Sequence, residues 1–360
     1  MRMRHVVFLT VLPLVFFAAA SAISQTPERM PNIAQITQWA RSGHANVHSE
    51  SFAHWNDAGQ IPPVCATCHS GAGFRSLYGF DGSQPGVPQT PVPVGGVVDC
   101  DTCHNPALPG LTEIQLPSGV SHPVTGFEGA CMTCHQGRAS TATIEKSVGA
   151  SPEDEVNPEL GFVNPHYAIA GATLLGGDGA LGYHYAGKEY EPRFFHARPV
   201  ATCVSCHEPH NLTVAEEVCT TCHETGDPKA IRISRQSFDG SGDLGKGIHA
   251  DIVANRQRLF ALLQDYAREV IGTPLIYDGG RYPYFFADHN ADGRADQKDG
   301  APVAYTSWTP RLLKSAYNWK FVGADAGIHV HNPHYALQLL YDSAEDLSSA
   351  LGRELTGMSR

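Results

Sequence analysis

All ten cysteines of the 360-residue sequence follow one pattern. They form five Cys-x-x-Cys pairs, and a histidine directly follows the second cysteine of each pair. The five motifs are Cys65/Cys68/His69, Cys100/Cys103/His104, Cys131/Cys134/His135, Cys203/Cys206/His207 and Cys219/Cys222/His223. Two thiols at this spacing can each form a thioether with one vinyl group of the same haem, and the next histidine then lies beneath the iron as its proximal ligand. The pattern predicts five covalently bound haems c.

Two other kinds of site use the same cysteine spacing. Disulfides form in oxidising compartments, and zinc ribbons also contain Cys-x-x-Cys pairs. Neither requires a histidine immediately after every second cysteine, so the sequence favours haem attachment over both.

A six-coordinate haem iron needs a second axial ligand, and histidine is the abundant candidate. Besides the five motif histidines and His5 near the N-terminus, 13 histidines remain. Methionine offers only Met30, Met132 and Met358 beyond the N-terminal segment, and Met132 lies inside a haem motif. We therefore expect mostly bis-histidine ligation, which gives a lower reduction potential than histidine–methionine ligation.

Position along the chain narrows the set of second ligands. His210 lies three residues after His207 and cannot reach the opposite face of the same macrocycle, so as a ligand it would serve a neighbouring haem. His44 and His48 share a helical face because they are four residues apart. The other candidates near motifs or helices are His54, His122, His196, His329, His331 and His334.

The N-terminal residues predict export of the chain. Arg2, Arg4 and His5 precede an apolar run of 15 residues from Val6 to Ala20, and Ala20–Ala22 forms a cleavage site. This is the pattern of a secretory signal peptide over residues 1–22; the alternative is an uncleaved N-terminal anchor. No later segment is apolar for long enough to span a bilayer, so we expect a periplasmic or extracellular protein without a membrane span in the mature chain.

Composition limits the partners that fit the protein. The formal net charge is −11, and about −13 after loss of Arg2 and Arg4. Such a surface repels nucleic acid and anionic lipid, and favours a basic redox protein or an extracellular mineral or metal-ion acceptor. Hydrophobic residues make up 42% of the chain, enough for a core, whereas 36 glycines and 25 prolines predict much irregular backbone.

The motifs divide the mature chain into two regions. Their first cysteines are separated by 35, 31, 72 and 16 residues, which predicts a pentahaem domain over residues 23–230 in which the fourth and fifth haems are neighbours. Residues 231–360 contain no cysteine and show helical periodicity. Three helices are expected there, at Ile248–Ile271, Leu312–Phe321 and Tyr335–Leu351. The fold class is mainly α with much irregular loop, a haem-packed core and a helical C-terminal region.

One loop of the C-terminal region resembles an EF-hand calcium loop. The glycine of the pattern is Gly293, and position 12 carries the shorter aspartate instead of glutamate. The candidate ligands are Asp288, Asn290, Asp292, Arg294 (through its carbonyl), Asp296 and Asp299. The sequence predicts a structural Ca²⁺ that fixes the C-terminal helices; the alternative is a solvated turn rich in aspartate and asparagine.

Longer strings resemble a family of secreted multihaem cytochromes c over nearly all of the mature chain. They include SGHANVHSESFAHWNDAGQIPPVCATCHSGAGF, CMTCHQGRAS, NPHYAIAGATLLGGDGALGYHYAGKEY, TCVSCHEPHNL, SWTPRLLKSAYNW and YALQLLYDSAEDL. The resemblance implies that the distal ligands come from His44, His54, His166, His196, His210 and His331, six candidates for five haems. His122, His249 and His334 are less typical of the family.

The family is known mainly for electron carriers, so electron transfer is the expected function. A multihaem oxidoreductase of the nitrite or hydroxylamine type is the alternative, and it requires one iron with an open position. Such enzymes often carry lysine in place of a motif histidine, whereas all five motifs here end in histidine. Tyr183 and Tyr185 beside His184 could line a pocket, although packing on a haem suits them better. A subunit of a conductive assembly or filament is the third possibility.

Overall fold

The computed structural model describes residues 33–360. The predicted signal peptide at residues 1–22 and Met30 lie outside the described residues. The structure is helix-rich, with 42% of residues helical, and the strands form only small two-stranded sheets. This agrees with the predicted mainly α class with long irregular loops.

The described residues form 13 α-helices, most of them short in the N-terminal half. They are α1 (Ile33–Ala40), α2 (Glu50–Ala53), α3 (Pro63–His69), α4 (Gly71–Tyr78), α5 (Cys100–His104), α6 (Gly126–His135), α7 (Thr141–Val148), α8 (Ala170–Gly179), α9 (Cys203–Cys206), α10 (Ile248–Tyr266), α11 (Pro310–Gly323), α12 (Ile328–His331) and α13 (Pro333–Ala350).

Four two-stranded antiparallel sheets contain the strands of the described residues. They are β1 (Gln60–Ile61) with β2 (Val92–Pro93), β3 (Glu113–Gln115) with β4 (Ser121–Pro123), β5 (Leu275–Tyr277) with β6 (Phe285–Ala287), and β7 (Gln297–Lys298) with β8 (Ala301–Pro302).

Each haem motif coincides with a short helical segment. The first four lie on α3, α5, α6 and α9, and the fifth lies on a 3₁₀ turn at Glu216–Thr221. Residues three apart on a helix lie on one face, so both thiols of a motif point in the same direction. Side-chain caps begin two of these helices: Asp99 accepts a hydrogen bond from the backbone of Thr102, and Thr202 forms a capping box with Ser205.

The three predicted C-terminal helices are confirmed. The first is α10, which continues into a π-helical turn at Ala267–Ile271 and buries residues at near-helical spacing such as Ile252, Leu259 and Leu263. The helices α10, α11 and α13 pack against one another, and α11 is buried on nearly all sides. These helices form the main part of the apolar core.

The apolar core is continuous across residue 230. Met132 and Ile144 from the motif half belong to the same buried cluster as Leu313 and Leu337. The predicted division into residues 23–230 and 231–360 stays a prediction. Within residues 33–360, none of the helices combines the length and the apolar character that a membrane span requires.

Candidate haem-binding sites

Four of the five motif histidines lie beside a histidine from a distant part of the chain. The ring centres are 5.7 Å apart for His69 and His166, and 6.1 Å for His104 and His210. They are 6.3 Å apart for both His135 with His44 and His207 with His331. Four of the six predicted distal histidines therefore each lie beside the histidine of a different motif.

These separations fit a metal ion held between two imidazoles. An imidazole nitrogen lies about 2 Å from a transition metal such as zinc, so two imidazoles on opposite sides of one ion have ring centres roughly 6 Å apart. The ten cysteines are free thiols, as thioether formation requires. The cysteine thiols and the separations of the histidine rings together fit covalently attached haem at the motifs.

The fifth site has a different form. His223 and His196 both line a cavity of about 70 Å³, together with His329, His334 and apolar side chains such as Ile231. The two lie close enough for their charges to interact, and burial is the main cause that lowers the pKa of His196. The structure thus brings the fifth predicted distal histidine near the fifth motif, in a cavity that His329 and His334 also line.

The cysteines of the motifs differ in exposure. Cys222 is exposed, whereas Cys219 is half-buried; Cys100 of the second motif is exposed as well. Cys222 directly follows the 3₁₀ turn Glu216–Thr221; it has φ −130° and ψ −21° and donates its N–H to the Cys219 carbonyl. The thioether at Cys222 stays a prediction, and it would lie at a solvent-facing edge of the haem.

His54, the sixth predicted distal ligand, lies in a different setting. Its Nδ1 lies 2.7 Å from Glu50 Oε1, and its ring packs edge-on against Trp55 with centres 4.8 Å apart. His210 lies beside His104, the histidine of a motif other than the one that His210 follows in the sequence.

Hydrogen bonds orient several of the imidazoles. His69 Nδ1 donates to the Ser51 carbonyl and His135 Nδ1 to the Ala168 carbonyl, both at 2.6 Å. His331 Nδ1 lies 2.7 Å from the buried carboxylate of Asp325. A bond at Nδ1 leaves Nε2 free to bind a metal and fixes the rotation of the ring. Nothing in the sequence pattern pointed to Asp325.

Burial favours the neutral form, which can bind a metal ion, in several of these histidines. It lowers the pKa of His44 to about 4, with a further contribution from His135. It lowers the pKa of His166 to about 4 as well, aided by Arg138 and His69. For His331, burial acts in the same direction but is outweighed by the hydrogen bond and charge of Asp325, so that its pKa is raised.

The cysteines show which motifs are neighbours. The thiols of Cys68 and Cys134 interact, which lowers the pKa of the first and raises that of the second. Cys131 and Cys203 form an equivalent pair. The first motif therefore adjoins the third, and the third adjoins the fourth.

The remaining motifs join the same array. Cys103 interacts with the charge of Cys131, so the second motif lies beside the third. Cys219 acts in the same way on Cys206, which places the fifth motif beside the fourth. The spatial order is first, third, fourth, fifth, with the second motif as a branch at the third.

The aromatic residues of the long gap between motifs lie against the C-terminal helices. Tyr183 donates a hydrogen bond to Glu145, and Tyr185 hydrogen-bonds to Ser315 of α11. His184 Nε2 lies 2.8 Å from the Tyr335 hydroxyl. The structure thus uses these residues to join the segment after α8 to α11 and α13.

The calcium-loop residues lie between β6 and β8. Asp288 is buried, and its two carboxylate oxygens accept the backbone N–H groups of Asp292 and Gly293 at 3.0 Å. Asp296 is bonded to His289. Over residues 33–360, no three side chains of His, Cys, Asp or Glu converge on a point where a metal ion would bind. The calcium site stays a prediction, and Asn290, Arg294 and Asp299 remain its other candidate ligands.

Two of the curated proteins similar to this chain are polyheme cytochromes. The chain is 24% identical over 391 residues to the C-type polyheme cytochrome OmcC of Geobacter sulfurreducens, covering 90% of this chain and 49% of that protein. It is 26% identical over 350 residues to the C-type polyheme cytochrome OmcB of the same species, covering 88% of this chain and 43% of that protein. The chain thus spans about half the length of the curated relatives it matches. No protein-family profile matches the chain, and neither does any solved structure.

Proposed function

This chain is a relative of multihaem c-type cytochromes, and we propose that it transfers electrons through five covalently bound haems, each held between two histidines. One observation carries the proposal. Every Cys-x-x-Cys-His motif has a second histidine near its own, in the pairs 69/166, 104/210, 135/44, 207/331 and 223/196.

The haem supplies reversible one-electron chemistry when it is bound. The protein supplies the thiols that attach it, the imidazoles that fill both axial positions, and a largely buried setting. An iron with both axial positions filled cannot bind a substrate, so this arrangement favours electron transfer over catalysis at iron.

The order of the motifs supports the same function. Electron tunnelling falls steeply with distance, so a conduit needs its redox centres to be neighbours. The first, third, fourth and fifth motifs form a continuous series through their cysteines. His207 and His135 also interact, as do His196 and His331, which links the same motifs through their axial histidines.

The setting of this electron transfer is also part of the proposal. The predicted signal peptide at residues 1–22 would export the chain to the periplasm or beyond it. Because the formal net charge of the chain is −11, we expect its partner to be a basic redox protein or an extracellular metal-ion or mineral acceptor. Assembly of several copies into a filament would need electron transfer between chains.

Two measurements on the purified protein test this function. The pyridine haemochrome assay should give five haems per chain, and the oxidised protein should give only low-spin ferric signals in electron paramagnetic resonance. A haem number far from five would contradict the attachment sites. A high-spin signal equal to one haem would favour the multihaem oxidoreductase, which requires one iron with an open position.

A further inference from the structure

The segment that carries His196 has no regular secondary structure, and Arg193 connects it to three other elements. Its guanidinium forms an ion pair with Glu128 on α6, with both side chains about one-tenth exposed at 11% and 10%. The same guanidinium lies 3.1 Å from His122 Nε2 on β4. The backbone N–H of Arg193 donates to Asp178 of α8 at 3.0 Å.

The two residues between Arg193 and His196 make further contacts that connect Arg193 to the His196 ring. The backbone N–H of Phe194 donates to the Leu174 carbonyl at 3.0 Å, and the Phe194 ring packs edge-on against the His196 ring with centres 5.1 Å apart. The Arg193 guanidinium lies 5.0 Å from the centre of the Phe195 ring. Because the backbone around His196 lacks helix or strand hydrogen bonds, these interactions fix the direction of the imidazole.

Glu128, the ionic partner, lies between two haem attachment sites. It is three residues before Cys131 on α6, so the two side chains share a face of the helix. Its charge acts on Cys131 and on Cys203 of the next motif. A nearly buried carboxylate without a cation would stabilise the oxidised, more positive state of a nearby iron and so lower its reduction potential.

We propose that Arg193 is a positioning residue that holds His196 in place as the second axial ligand at the fifth motif, and that it also neutralises Glu128 beside the third and fourth motifs. This inference rests on the proposed function, because it assumes five haems with two histidines each.

The test is Arg193→Met in the holoprotein, followed by paramagnetic resonance and a spectroelectrochemical titration. We expect one haem in five to become high-spin, because the guanidinium no longer ties the segment of His196 to α6 and β4, and two other midpoint potentials to become more negative. In the double variant Glu128→Gln/Arg193→Met, the two potentials should return toward their original values while the high-spin signal remains. Arg193→Met that stays wholly low-spin with unchanged potentials would overturn the inference.

Controls separate this role from a purely structural one. Arg353→Met removes a surface arginine that also pairs with two carboxylates, Asp265 and Glu269, and should leave both spectra unchanged. If Arg193→Met fails to accumulate, Glu128→Gln carries the test: it leaves the cation unpaired, so the same two potentials should become more positive, and unchanged potentials would contradict the proposal. Fewer than five haems in the unaltered protein would count against the proposed function itself.

Discussion

Histidine side chains in this protein differ chiefly in what surrounds their two ring nitrogens. Those of His69 and His135 have Nδ1 bonded to a backbone carbonyl, whereas His331 has Nδ1 beside the carboxylate of Asp325. His184 instead has Nε2 beside a tyrosine hydroxyl, within the interface to the C-terminal helices. A partner at Nδ1, as in His69, His135 and His331, leaves Nε2 free to bind iron. In His184 the Nε2 atom instead contacts another side chain within the protein interior.

Replacing a distal histidine should alter one haem only. In His331→Met, the fourth haem would exchange an imidazole for a thioether, which raises the reduction potential. We expect one of the five midpoint potentials to become more positive in a spectroelectrochemical titration. His54→Met is the matched control, because His54 pairs with Glu50 and not with a motif histidine. An equal shift in both variants would contradict the assignment of the ligands.

His184 should make stability depend on pH. Its ring stacks on Tyr190 at 4.1 Å, and burial lowers its pKa to about 4, against a partial opposing effect of Asp342. The folded state therefore holds fewer protons than the unfolded state, and the stabilisation is complete above about pH 6.5 and is lost as the pH falls toward 4.

The substitution His184→Gln should remove most of this dependence. Denaturant titrations at pH 7 and pH 4.5 should show the original protein losing about 1–2 kcal/mol more than the variant, since one pKa unit corresponds to about 1.4 kcal/mol. His48→Gln, at an exposed site, should follow the original protein. If all three proteins lost the same free energy of unfolding between pH 7 and pH 4.5, His184 would not titrate in this range.

Elements of the C-terminal region are stabilised at their ends as well as by their apolar faces. Thr309 is fully buried at the start of α11, where its hydroxyl accepts the backbone N–H of Leu312 and lies 3.1 Å from the Tyr266 hydroxyl. Asn332 caps α13 by accepting the backbone N–H of Tyr335. These two caps fix where the long core helices begin.

Loss of the cap of α11 should destabilise the protein without affecting the haems. Thr309→Ala should cost about 1–2 kcal/mol, since it removes the capping oxygen and leaves a buried tyrosine hydroxyl with one partner fewer. Thr309→Ser keeps the hydroxyl and should lose far less. Thermal melts followed at a haem absorption band and in the far ultraviolet measure both; equal losses in the two variants would argue against capping.

The loop between β6 and β7 provides a separate test of calcium binding. If Ca²⁺ binds there, isothermal titration should give one site per chain, and a chelator should lower the melting temperature. Asp292→Ala should abolish both effects, whereas Asp278→Ala, in an exposed turn, should change neither. Absence of heat on titration and no change with chelator would leave the loop as a turn held by its own backbone hydrogen bonds.

The helices could be predicted from the sequence better than the contacts between side chains that are distant in the sequence. The helices α10, α11 and α13 could be predicted because their apolar residues recur at helical spacing. The ten cysteines and the proximal histidines were evident from local spacing, although spacing did not reveal that Cys222 lies exposed. The pairing of distal histidines could not be derived in this way, because His44 and His135 meet only through tertiary packing. The role of Arg193 was missed for the same reason.

At the scale of the whole molecule, net charge should control encounters with redox reagents. The chain carries a formal charge of −11. Ionic screening shortens the Debye length from about 30 Å at 0.01 M to about 10 Å at 0.1 M salt, so oxidation by a cation such as hexaammineruthenium(III) should slow several-fold over this range. Oxidation by the anion ferricyanide should accelerate. Stopped-flow rates with the same salt dependence for both reagents would contradict electrostatic steering.

The histidine pairs also have a topological consequence. Residues 44 and 135, 69 and 166, 104 and 210, and 207 and 331 each meet across about a hundred residues of chain. If each pair shares one iron, every such haem cross-links the chain and closes a long loop, which restricts the unfolded state as a disulfide does. Contacts of such high sequence separation slow folding. A chain lacking residues 324–360 could attach its fourth haem covalently but would leave that cross-link open.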